Sequence, residues 1–336
     1  MLSGYLVTVL ITIGIYIILA LSLNIVTGYA GQISLGHAAF MGIGAYASAL
    51  LYTKAGLDFW PSFLLAGLVA GLVGAVLAIP CLRVREDFLA ITTMGINFVI
   101  EAVFLYIPFF GAGMGIGGID PPKLFGNELG KPAFLVLVVL VILLTIAADR
   151  WLSRSWIGLG WAAIREDEQA AGAMGIDVVR FKVLAFTIGS AGAGLAGSLY
   201  AHFLTFIMPV NFSFGQSIVI LSMVVFGGIG TLRGPIVGAI VLGALPEVSR
   251  PAMEYRTLLY GVLLLLLMRF QPEGILGDGS VIVRGWQRLL RSRRHVKATT
   301  DTGKSANDRP GCPVVGCRFY IFNWLRRSWH FWKSST

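Results

Sequence analysis

Apolar residues fill windows of about 20 positions along most of the chain, separated by short polar or Gly/Pro-rich stretches. As a helix rising 1.5 Å per residue, such a window crosses about 30 Å of hydrocarbon. The pattern predicts spans near 3–24, 33–53, 61–80, 88–110, 133–149, 182–204, 215–231, 234–249 and 255–270. This is an all-α, polytopic integral membrane fold of about nine transmembrane helices. The range is eight to ten, because glycine-rich stretches allow a re-entrant or broken helix. The first window lacks the positive n-region and small-residue cleavage site of a signal peptide and is expected to stay in the mature chain.

Three stretches interrupt the apolar pattern. Gly111 to Lys131 is rich in Gly and Pro, has no GK[ST] ending that would cradle phosphate, and reads as a surface loop. Residues 150–182 are polar and too short for a core of their own, so they must find a partner or lie on the membrane. From about residue 281 the apolar windows stop. The chain therefore divides into a transmembrane part, 1–280, and a tail, 281–336, without helical or strand periodicity. Within the tail, CRFYIFNWLRRSWHFW has the aromatic content of a headgroup-level segment.

Composition agrees, with 56% hydrophobic and 13% charged residues, a balance that belongs in a bilayer. The net charge of +9 suggests nucleic acid until it is located. Twelve Lys/Arg against Asp301 and Asp308 make Arg284 to Thr336 net +10 and leave the remainder at −1. A basic stretch after the last span marks the cytoplasmic side, and nucleic-acid binding is not expected. Arg83 and Arg85, then Arg150, Arg154, Arg165, Arg180 and Lys182, put two earlier loops on that side as well. Alternation then places the N-terminus outside, with Arg250 and Arg256 as weak exceptions. Cys81, Cys312 and Cys317 form neither a disulfide framework nor a zinc set.

Polar residues at membrane depth are the candidates for function, since each is costly there unless it faces a bundle interior or a wet path. Asn24, Gln32, Ser34 and His37 lie amid Gly36, Ala38, Ala39, Gly42 and Gly44, small residues that let helices approach closely. In the fourth span Thr93, Asn97 and Glu101 fall at i, i+4 and i+8, on one helix face. Glu101 is expected to pair with His37 or with a substrate ammonium. The chain shows no Ser/His/Asp order, no HExxH and no nucleotide loop, so neither an enzyme activity nor a cofactor or metal is assigned.

The string from Asn24 to Phe40, NIVTGYAGQISLGHAAF, resembles the hallmark segment of the branched-chain amino acid ABC transporter permease family, in its M-type branch. Four further blocks are similar to it: Gly118-Ile-Asp-Pro-Pro122, Ala163 to Ile176, Val225 to Pro235, and Gln271 to Leu276. Together they cover roughly residues 5 to 278, in family order. The resemblance implies a permease subunit in a bacterial plasma (inner) membrane, moving branched-chain or related amino acids by alternating access. Its implied partners are a second homologous permease, two cytoplasmic ATP-binding subunits and a periplasmic or lipid-anchored amino-acid-binding protein, beside membrane lipid. Gln169-Ala170-Ala171-x3-Gly175 matches the coupling-loop spacing of ABC importers, with Gln169 where a glutamate is common and Glu168 just before it, and Gly175 is expected to permit a sharp turn between two short helices. Arg165, Glu166, Glu168, Gln169, Ala170, Ala171 and Gly175 are the expected ATPase-coupling residues, and Asn24, Gln32, Ser34, His37, Thr93, Asn97 and Glu101 the expected translocation path. The resemblance admits urea or short amides as cargo. An ion-coupled transporter or channel with a Glu101–His37 proton relay is the rival from another class. The Gly227 to Gly234 loop reads as a tight inner turn, and its likeness to Gly28 to Gly36 hints at an inverted repeat.

Overall fold

In hydrocarbon a backbone N–H or C=O finds no water, so apolar runs of this length satisfy their polar groups within one segment, as helices. A computed structural model of the chain describes residues 4–81, 86–124 and 127–248, together with Gly261. Its helices are α1 (Gly4–Asn24), α2 (His37–Thr53), α3 (Phe59–Cys81), α4 (Glu86–Tyr106), α5 (Lys131–Arg154), the short α6 (Trp156–Glu166) and α7 (Glu168–Ala173), α8 (Val178–Leu204), α9 (Phe214–Gly227) and α10 (Arg233–Val248). A helix therefore stands at eight of the nine expected windows. Six helices of the described residues are long and apolar enough to cross a membrane, and Arg233–Leu245 is a shorter apolar one. The molecule is a multi-pass, all-α membrane protein. The count of about nine is not reached among the described residues. The ninth window, the Gln271 to Leu276 block, the 281–336 tail and residues 83, 85, 250 and 256 lie outside them.

α1 is apolar around its whole circumference, and such a helix belongs at a centre. Ile11, Ile15, Ile18, Leu19, Leu21 and Leu23 are sealed among α5, α8, α9 and α10. α2, α3 and α8 pack by a different means. A Cβ on Gly44 of α2 would strike the backbone of Gly194 in α8, and one on Gly194 would strike Ala70 of α3. A Cβ on Gly197 would strike the Met41 carbonyl. Lipid gives helices no hydrophobic reason to associate, so this close backbone approach, and the dispersion contacts it creates, hold the three together. α4 and α5 turn Ile91, Val99, Leu140 and Leu144 outward, as lipid-facing helices do.

The polar junctions gather at two ends. The end that carries α6 and α7, with Arg154, Arg165 and Arg180, is termed the inner end on the Lys/Arg expectation. At the other, strands β1 (Ile116–Gly117), β2 (Lys123–Leu124), β3 (Asn127–Glu128) and β4 (Phe206–Ile207) form two antiparallel pairs, β1 with β4 and β2 with β3. The stretch from Gly111 to Lys131 is thus more than the expected surface loop. Ile119 is 1% exposed and its N–H donates to the Thr205 carbonyl at 3.4 Å, because Ile116 and Ile119 add apolar side chains to the cluster beneath them.

Candidate functional site

The hallmark segment breaks a helix. Beyond Asn24 the chain widens into a π turn, Ile25–Tyr29, then runs without regular structure through residues 30–36 until α2 begins. Gly31 at φ +70° permits the reversal. π turns and broken helices recur at functional sites because they expose backbone groups in a helix interior.

This break lies against the second glycine loop. Asn24 is fully buried; its Nδ2 donates to the Thr231 carbonyl at 3.1 Å, and its Oδ1 accepts the Gly230 N–H at 2.9 Å. Arg165, in the last turn of α6, donates from Nη1 to the Gly28 carbonyl at 2.6 Å. Tyr29 donates its hydroxyl to Asp149 Oδ2 at 3.3 Å near the inner end of α5, where Asp149 is 1% exposed. Asn24 to Phe40, Ala163 to Ile176 and Val225 to Pro235, three of the family-like blocks, therefore meet at one junction.

A second polar cluster surrounds the first turn of α2, whose leading N–H groups have no intrahelical acceptor. Leu35 N–H donates to Thr93 Oγ1 at 3.0 Å, and Ala38 N–H to Ser217 Oγ at 3.0 Å. Ser217 in turn donates to Asn97 Oδ1 at 3.2 Å. Gln32, Ser34 and His37 are buried beside it. Gln32 donates to the Ala30 carbonyl at 3.4 Å, and Ser34 Oγ accepts the Gly36 N–H at 3.5 Å. The structure thus brings Thr93 and Asn97 to the break and places Asn24 in the neighbouring inner junction. Glu101, half-buried, lies by the backbone of Phe214 at the start of α9. His37 Nε2 bonds the Ser22 hydroxyl at 2.8 Å, so the expected His37–Glu101 pair does not form. A narrow apolar gap lined by Gly36, Phe40, Leu77, Cys81, Thr93, Ile96 and Phe186 lies beside the break and has no room for a water molecule.

Between α5 and α8, the expected 150–182 loop narrows to residues 155–177, since both helices extend past their apolar windows. The break between its two short helices falls at Asp167, whose carboxylate caps α7 by accepting from Gln169 and Ala170 N–H. Gly175, at φ +88°, turns the chain from α7 into α8 rather than between the short helices. Two contacts anchor the hairpin: the buried Trp161 indole donates to the Phe181 carbonyl at 2.8 Å, and Lys182 pairs with Glu168 across to α7. Glu168 is therefore engaged within the chain while Gln169 is exposed. Ala171 points inward at 4% exposure, whereas Glu166, Ala170 and Gly175 are exposed and Met174 is 84% exposed.

At the outer end a polar chain escaped the sequence reading. Ser198 donates to Ser48, Ser48 bonds His202 Nε2 at 3.1 Å, and His202 Nδ1 meets the Asp120 carbonyl at 2.9 Å. Asp120 of the Gly118 to Pro122 block accepts from the Tyr52 hydroxyl at 2.7 Å and pairs with Lys123 at 3.1 Å. The Tyr52 hydrogen bond and then the Lys123 ammonium hold the Asp120 carboxyl below its ordinary range. Ser22, Ser48, Ser198, His202 and Ser217 all carried the signal that singled out Asn24 and His37, a polar group within an apolar window.

The chain matches the family described as branched-chain amino acid transport system / permease component over residues 5–268. It is 38% identical over 288 residues to the high-affinity branched-chain amino acid transport system permease protein LivM of Escherichia coli K12, covering 78% of this chain and 68% of that one. The probable LivM of Methanocaldococcus jannaschii is 25% identical over 323 residues, covering 82% and 94%. The E. coli K12 permease LivH is 26% identical over 292 residues, covering 79% and 92%. No solved structure matches the chain. Extended over residues 5–268, and over the segments that build both polar junctions, these matches show that the chain belongs to the branched-chain amino acid transport system permease family.

Proposed function

We propose that the chain is the M-type permease subunit of an ATP-driven importer of branched-chain amino acids in a bacterial inner membrane. LivM and LivH are both permease proteins of such a system and both resemble this chain, which supports a second, homologous permease beside it. An importer must also receive motion from soluble ATP-binding subunits, which calls for a rigid protrusion that docks in a cleft. The α6–α7 hairpin fits that role, and the observation that carries the reading is its construction: two anchors, Trp161–Phe181 and Lys182–Glu168, support a tip where Ala170 and Met174 stand exposed. Small Ala170 allows close approach and Met174 supplies an adaptable apolar knob. Ala171 then acts within the hairpin, while Gln169 and Ala170 meet the ATPase.

In this mechanism the polar cluster at the α2 break lines the path. Thr93, Asn97 and Ser217 offer hydroxyl and amide groups near the apolar side chains of Phe40, Leu77 and Phe186, groups suited to a zwitterion with an aliphatic side chain once the helices part, since the gap between them is closed in this structure. Substrate arrives on a soluble binding protein at the outer end, and the helices open alternately to each side. The test is uptake of radiolabelled leucine by cells with the native operon, by cells deleted for this chain, and by cells carrying Ala170→Arg. Deletion should abolish ATP-dependent uptake, and Ala170→Arg should remove both uptake and co-purification of the ATP-binding subunits. Undiminished uptake after deletion would defeat the reading.

A further inference from the structure

The glycines at the inner junction make room for one side chain. A Cβ on Gly31 would crowd Arg165 Cγ at 3.2 Å and Cβ at 3.4 Å, and a Cβ on Gly230 would strike Arg165 Nη1. Arg165, exposed over much of its surface, runs its stem along the unwound segment and brings Nη1 between Gly28 and Gly230, donating to the Gly28 carbonyl at 2.6 Å. Its residue sits in the last turn of α6, the helix clamped to α8 by Trp161. The far side of the same junction is Asn24, which ties α1 to Gly230 and Thr231.

We infer that Arg165 is the positioning residue that transmits movement of the α6–α7 hairpin to the inner closure, and is not itself an ATPase contact. A guanidinium is planar, always charged and rigid at its head, so a displacement of α6 moves the Gly28 carbonyl it holds. That carbonyl belongs to the π turn, which connects directly to the break where α2 begins. When α6 is pulled, the hydrogen bond drags the π turn away from the Gly230 loop or releases it. Asn24, bonded to that loop from α1, sets how far the two sides part. Glycine at position 230 leaves the guanidinium its place, and glycine at 31, with its left-handed φ, leaves room for the stem.

This inference rests on the permease reading, and two experiments separate their failures. The first does not depend on transport. In the purified full-length chain, hydrogen exchange of the Ala30 and Gln32 amides, which donate back to Ile25 and Val26, should quicken about tenfold in Arg165→Ala, the effect of losing one charge-assisted bond. Arg165→Lys, which restores a single donor, should recover part of the protection. Unchanged exchange would overturn the pin whatever the chain transports. The second uses leucine uptake in cells with the native operon. Arg165→Ala should keep the ATP-binding subunits on purification yet lower leucine uptake at least tenfold, and Arg165→Lys should recover part of it. With uptake normalised to the folded chain in the membrane, adding Asn24→Ala to Arg165→Ala should cause no further loss, because both act on one junction. Loss of the ATP-binding subunits in Arg165→Ala would make Arg165 a docking residue and sink the inference, as would uptake at the wild-type rate. If wild-type and deleted cells take up leucine equally, the transport reading falls, and hydrogen exchange by itself then decides whether Arg165 pins the junction.

Discussion

At the scale of single residues, several polar groups inside the bundle join segments far apart in sequence, whereas others, such as Gln32 and Ser34, bond within their own segment. Asn24 spends both halves of its amide on the loop beyond α9. Replacing it by Ala leaves two partly buried backbone groups without their side-chain partner, at about 1 kcal/mol each. Asn24→Ala should therefore lower the thermal unfolding midpoint of the detergent-solubilised chain clearly more than Thr92→Ala, whose exposed hydroxyl only bonds its own helix. Asp120 gives a pH signature. Its carboxyl is held below the ordinary range in the folded chain, so its contribution is present above the unfolded pKa and disappears as pH falls through the lower folded value. Wild type should thus be more stable than Asp120→Asn near neutrality, with the two melting curves converging as pH drops below the ordinary carboxylate range. A constant gap would show that Tyr52 and Lys123 do not act through the charge. The polarity of Asn24, His37, Thr93 and Asn97 was legible in the sequence, but their partners were not. Nothing in spacing says that His37 turns to Ser22 rather than Glu101, because a rotamer and a helix rotation decide it.

Among elements, small residues govern which helices touch. Gly44, Gly194 and Gly197 admit backbone contact between α2 and α8, and α3 closes on Gly194 through Ala66 and Ala70. Gly194→Leu would force α3 and α2 off α8. It should reduce the yield of monodisperse detergent-solubilised protein severalfold, whereas Gly95→Leu, at a position with nothing within 4 Å, should not. The hairpin gives the contrasting case. Gly175 has open space but a left-handed φ, so Gly175→Ala should cost about 1 kcal/mol of backbone strain and weaken uptake only modestly. Ala171→Trp should disrupt the hairpin itself, since that residue is buried. Sequence spacing located both short helices and the turning glycine. It could not say that Asp167, and not Gly175, separates them, because a cap depends on backbone dihedrals that a Gly-based rule overlooks.

For the whole molecule, the apolar windows, the Lys/Arg bias and the family-like blocks were all readable before any fold was known. The family match ends at residue 268, which supports a working part that excludes the basic tail. A chain truncated after Ser280 should retain wild-type leucine uptake in cells with the native operon, and loss of uptake with normal membrane levels would assign the tail a role. What the sequence alone determined is the class of molecule, because hydrocarbon thickness and the need to satisfy every backbone group act on composition and run length, which are local properties. Only the tertiary structure decided that two glycine loops some two hundred positions apart share one junction, that Arg165 lies between them, and that the outer Gly/Pro stretch is folded onto α2 and α8. Those facts depend on which helix faces meet. In a chain whose helices are apolar nearly all round, meeting faces are chosen by close backbone approach and a handful of buried hydrogen bonds, neither of which leaves a periodic trace.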